Sequence, residues 1–81
     1  MDELEKEITR ITARLAELPA DALRDDVPLA DQGVDSLTAL SVVAEIESFC
    51  HITVPEEEIA KVQTLRDIFA LTHRLMAPLQ A

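Results

Sequence analysis

The 81-residue sequence predicts an all-α fold, a four-helix bundle with three long helices and one short one, and three observations predict it. Glycine occurs once, which leaves little material for the repeated tight turns of a sheet protein. Apolar residues make up 48% of the chain, enough to fill a core, but Phe49 and Phe69 are the only Phe, Tyr or Trp, so that core must be small and aliphatic. The apolar positions also recur at helical spacing, in segments set off by prolines. At this length one core uses up the apolar residues, and residues 1–81 are expected to form a single domain.

Leu4, Ile8, Ile11 and Leu15 are spaced by four, three and four, with Glu3, Glu7, Arg10 and Arg14 between them. This is the stripe of an amphipathic helix over about residues 2–17, ended by Leu18-Pro19 because a residue before proline is biased out of the α region. Residues 19–35 form a long connection with Pro19, Pro28, Gly33 and five aspartates. Leu23, Val27 and Leu29 are expected to pin it, with a short helical turn near residues 20–24. From Ser36 to about Cys50 there is no proline or glycine, and Asp35 stands immediately upstream as a natural cap. Pro55 followed by Glu56, Glu57 and Glu58 reads as the first turn of a short third helix. Thr64 and Asp67 form a capping-box pattern opening a fourth helix through Leu65, Ile68, Phe69, Thr72 and Leu75.

Charge narrows the function classes. The chain carries a net charge of −9, and eleven carboxylates fall between Glu17 and Glu58 against Arg24 alone. Such a surface repels phosphate backbones and anionic lipid, so neither nucleic acid nor membrane is expected as a partner; a protein with a basic patch is. No apolar run is long enough to cross a bilayer and the first ten residues are acidic and polar, from which a cytoplasmic location is expected. Cys50 is the single cysteine and the histidines are two, so neither a disulfide nor a metal site is expected.

The second helix carries more apolar surface than a bundle requires. At 100° per residue, Ala39, Val42, Val43, Ile46, Phe49 and Cys50 form its core-facing stripe. Leu37, Leu40 and Ala44 lie on the opposite side among Ser41 and Ser48, flanked by Glu45 and Glu47, and this second strip is read as a docking surface. It begins beside Ser36. As a self-acting nucleophile Ser36 lacks a base: His51 lies fifteen residues along the same helix, roughly 22 Å away at ~1.5 Å per residue, and nothing aims His73 at it. The surroundings also do not fit the G-x-S-x-G elbow, which requires a preceding strand. Ser36 is left as part of a helix cap or as a substrate for another enzyme.

The stretches "PLADQGVDSLTALSVVAEIE" and "ITVPEEEIAKVQTLRDI" resemble the acyl carrier protein family, and the resemblance runs from the first helix to about Leu75. It implies that Ser36 is the attachment point for 4′-phosphopantetheine, joined by a phosphopantetheinyl transferase, and that the arm's thiol holds acyl groups as thioesters. It implies that Asp35 helps the transferase position its metal and cofactor, and that Leu37, Leu40, Ala44, Glu45 and Glu47 meet partner enzymes. Those partners would be a ketosynthase, an acyltransferase or acyl-activating enzyme, and other pathway enzymes with basic patches, served by a monomeric carrier that is not itself an enzyme.

Two departures qualify the resemblance. Thr38, Ser41 and Ser48 are uncharged where bacterial fatty-acid carriers often have carboxylates, which favours a polyketide-type or fatty-acid-like pathway of discrete enzymes over housekeeping fatty-acid synthesis. The family's aromatic five residues before the proline is replaced by Cys50, with Phe49 one step earlier; both are expected on the core stripe, Cys50 as a buried apolar residue. A peptidyl or aryl carrier of nonribosomal synthesis and an unmodified acidic adaptor remain as alternatives.

Overall fold

A computed structural model describes residues 1–77; the end of the expected domain, residues 78–81, lies outside the described residues. It contains α1 (Glu3–Ala16), α2 (Ser36–Cys50), α3 (Glu56–Ile59) and α4 (Leu65–Met76), with no strand among the described residues. The helices begin where local chemistry satisfies their first N–H groups. Asp2 caps α1: its Oδ1 accepts from the Glu5 N–H at 2.7 Å, and Glu5 Oε1 accepts from the Asp2 N–H at 3.3 Å. Thr64 and Asp67 close the expected box at the head of α4, at 3.1 and 3.0 Å, and Asp67 Oδ2 also accepts from the Gln63 N–H at 2.9 Å. Pro55 is the residue before α3 rather than inside it, and that helix is a single turn.

Ile8, Ile11, Leu29, Val34, Val42, Ile46, Cys50, Leu65, Ile68 and Phe69 pack as one core, with Val43, Val54 and Leu71 forming a smaller cluster. Ile8, Ile46 and Leu65 are almost wholly enclosed, each contributing about 1.5–3 kcal/mol by transfer out of water. The buried threonines cost little, because Thr9, Thr12 and Thr72 each donate to a carbonyl one turn back at 2.8 Å.

The long α1–α2 connection is ordered from within. It forms two short 3-10 turns, Ala20–Ala22, where a turn was expected, and Leu29–Gln32, where none was. Leu29 is buried as a pin, whereas Leu23 and Val27 are half-buried; Val34 is buried too and was not foreseen. Gln32 is the clasp: its Oε1 accepts from the Arg24 N–H at 2.8 Å, and its Nε2 donates to Arg24 O at 2.8 Å and Val27 O at 2.9 Å. Leu29 N–H to Gln63 O (2.8 Å) and Arg66 N–H to Asp25 O (3.0 Å) fasten the connection to the head of α4.

The structure corrects the core stripe of α2 at one position. Val42, Val43, Ile46 and Cys50 are buried, but Phe49 is 56% exposed. Phe49 lies 60° from Ile46 on the helical wheel, at the stripe's edge. Cys50 takes the inward place, so the aromatic has not shifted into the core.

Candidate functional site

The start of α2 is set by three successive residues with different tasks. Gly33 ends the Leu29–Gln32 turn at φ 86° and ψ 14°, a left-handed conformation that glycine adopts at least cost. Val34 then turns inward, and its N–H bonds to Leu29 O at 3.0 Å. Asp35 is extended, and its Oδ1 accepts from the Thr38 N–H at 2.7 Å. The bond from the Thr38 backbone, then that from the Thr38 side chain, holds the Asp35 carboxyl below its ordinary range. It is therefore ionised at neutral pH.

Ser36 follows as the first residue of α2 and is exposed. Of the N–H groups there, that of Thr38 goes to Asp35 Oδ1 and that of Ala39 to Asp35 O (2.9 Å), which leaves those of Ser36 and Leu37 without an acceptor among the described residues. An open groove of about 400 Å³ runs beside Asp35 and Ser36, walled by Leu29, Val34, Ala39 and Val62. An anionic group esterified to the Ser36 oxygen would meet the positive end of α2 and two free donors.

The expected docking residues divide into three groups. Leu37 and Leu40 are 74% and 51% exposed, the first directly after Ser36. Ala44 and Glu45 are exposed further along the outer face, where Glu45 pairs with Arg14 at 3.1 Å. Glu47 is half-buried and its Oε2 accepts from the Val54 N–H at 2.8 Å, so part of that carboxylate holds the α2–α3 connection. The histidines stay away from Ser36. His51 ends α2 in a left-handed conformation, and His73 Nε2 lies 3.1 Å from Asp2 Oδ2 and 3.2 Å from Glu5 Oε2. Gln32, which secures the loop carrying Gly33, was not singled out in the sequence because its bonds reach back five and eight residues to main-chain atoms.

The small helical bundle presents a serine at an open helix head, with both of its histidines elsewhere. Residues 6–71 match the family described as the phosphopantetheine attachment site. The chain belongs to that family, whose covalent cofactor is 4′-phosphopantetheine, and is a carrier domain. It is 35% identical over 68 residues to a 3-methylorcinaldehyde synthase of Phoma sp, covering 84% of this chain and 2% of that protein. It is 30% identical over 69 residues to the non-reducing polyketide synthase tazA of Aspergillus terreus (85% and 3%). It is 43% identical over 65 residues to the 3-methylorcinaldehyde synthase tropA of Talaromyces stipitatus (80% and 2%). The chain thus spans 2–3% of the length of these relatives. No described helix is long and apolar enough to cross a membrane.

Proposed function

We propose that this chain holds acyl intermediates as thioesters on a 4′-phosphopantetheine arm joined to Ser36, in polyketide-type assembly. The carrying observation is that Ser36 is exposed at the open head of α2, with His51 and His73 both engaged or placed away from it. The bound arm would supply the thiol on which acyl groups are held and transferred; the chain supplies position. Ser36 Oγ provides the ester oxygen, and the Ser36 and Leu37 N–H groups offer donors to phosphate oxygens. Asp35 Oδ1 stays on the Thr38 N–H and keeps the helix start rigid, while the exposed, ionised carboxylate can approach a transferase-bound metal.

Leu37 and Leu40 provide the apolar contact for a transferase, ketosynthase, acyltransferase or acyl-activating enzyme, and the acidic face steers a basic patch toward it. In this reading the chain is non-catalytic, monomeric and cytoplasmic. The synthases among the relatives, a non-reducing polyketide synthase included, favour polyketide chemistry over the fatty-acid and nonribosomal readings. The exposure of Leu37 and Leu40 supports delivery to partner catalytic sites, since a docking surface can reach both; in this reading the partners are separate enzymes.

Incubation with coenzyme A and a promiscuous phosphopantetheinyl transferase, followed by intact-mass measurement, tests the attachment. One arm per chain and none on Ser36→Ala is the expected result. No mass gain, or a gain that persists in Ser36→Ala, overturns the proposal. Acyl transfer from a free-standing ketosynthase to the loaded chain then tests delivery between separate enzymes.

A further inference from the structure

We infer that the junction of α1 and α4 is a binding site for a divalent transition-metal ion, zinc by its chemistry, with Asp2, Glu5 and His73 as ligands. The site is independent of the carrier reading. His73 comes from α4, 68 residues beyond Glu5, and its Nε2 lies 3.1 Å from Asp2 Oδ2 and 3.2 Å from Glu5 Oε2. The three ligand atoms lie within 4.8 Å of one another. Zinc sits about 2.0–2.2 Å from imidazole nitrogen and carboxylate oxygen. In a tetrahedron those bond lengths require ligand atoms roughly 3.3–3.6 Å apart, and the two N···O spacings fall a little short of that edge.

The ligands are already oriented. Each carboxylate commits one oxygen to the capping box, Asp2 Oδ1 to the Glu5 N–H and Glu5 Oε1 to the Asp2 N–H, and presents the other to His73. Backbone partners of this kind fix first-shell ligands. The same two bonds offset the positive end of α1, which would otherwise disfavour a cation.

Charge supports occupancy. Two carboxylates converge on His73 in a chain of net charge −9. The nearby cationic side chains are paired elsewhere: Lys6 with Glu3, Arg10 with Glu7 and Arg74 with Glu58. A dication neutralises the pair, and an imidazole donor selects zinc-like ions over magnesium or calcium. Asp2 and His73 are about half exposed, which leaves room for water as a fourth ligand. Binding ties the last turns of α4 to the first turn of α1.

The test uses the tag-free full chain as Ser36→Ala, so that no pantetheine thiol competes, freed of metal by a chelator and titrated with zinc chloride by calorimetry and thermal melting. One ion per chain, a raised melting temperature, and no effect of magnesium are expected. His73→Gln should weaken zinc binding at least about tenfold, while His51→Gln leaves it unchanged. Asp2→Asn and Glu5→Gln retain cap acceptors, so weaker binding in each reports lost ligands rather than lost helix. The inference is overturned if the parent binds no zinc, if His73→Gln binds as tightly as the parent, or if both carboxylate variants keep full affinity.

Discussion

Replacing Gly33 with alanine isolates the conformational demand at the loop end. A Cβ built at Gly33 has no heavy atom within 4 Å, so the substitution introduces no collision. Its cost is that of placing an L residue at φ 86° and ψ 14°, about 1–2 kcal/mol. Reduced freedom of the unfolded chain returns about 0.4–1 kcal/mol. The net is a destabilisation of about 1 kcal/mol, which for a domain of this size lowers the melting temperature by about 4–8 °C. Asparagine, which tolerates the left-handed region better, should fall between glycine and alanine. D-alanine introduced by ligation matches the sign of φ and should melt no lower than the parent.

Melting followed by circular dichroism reads the stability, and initial rates of pantetheine transfer read the presentation of Ser36. An alanine variant that melts clearly above the parent would refute the left-handed conformation at 33. A loss above about 15 °C would refute the open space around it.

Other perturbations separate core from surface and cap from charge. Phe49→Ser should change stability by less than about 0.5 kcal/mol, whereas Ile46→Ala should cost about 2–5 kcal/mol; urea unfolding compares them, and a large loss for Phe49→Ser would return that ring to the core. Thr64→Ala should cost about 1 kcal/mol as a lost N-cap, read from the same unfolding curves. The Gln63 N–H bond, followed after the opposing effect of burial by the Thr64 bonds, holds the Asp67 carboxyl below its ordinary 3.8. Its folded value is thus below its unfolded one, so its stabilisation is present above the ordinary aspartate range and is lost as pH falls through the folded value. Melting temperature should drop over that acid window, and Asp67→Asn should flatten part of the drop. Leu37→Asp should leave the melting temperature nearly unchanged but lower kcat/KM for pantetheine transfer about tenfold or more, as expected when an exposed apolar anchor is lost.

The helices were legible because their signals are local. A run without proline or glycine and an aspartate before Ser36 delimited α2, and Thr64 with Asp67 marked α4 three residues apart. The exposed position of Ser36 at the start of α2 was legible for the same reason, as was the outward direction of Leu37 and Leu40. The Leu29–Gln32 turn was not, because it depends on Gln32 bonding back to the main chain of Arg24 and Val27. Phe49 was misplaced because a helical wheel gives direction but not the width of the neighbouring surface. The Asp2, Glu5 and His73 cluster was hidden by sequence distance: α4 must lie against α1 before the histidine meets two capping carboxylates.

The burial of Cys50 bears on how the chain can be studied. The residue is 8% exposed at the end of α2, and burial raises the pKa of its thiol above the ordinary 9.0. Little thiolate forms there at neutral pH, and reagents have little access to the sulfur. In the proposed carrier state an unacylated arm ends in a free, solvated thiol. On the folded chain, a maleimide or disulfide dye added to samples withdrawn from the reaction would therefore count the arms not yet acylated, while Cys50 stays silent until denaturant reveals it as an internal standard of chain concentration.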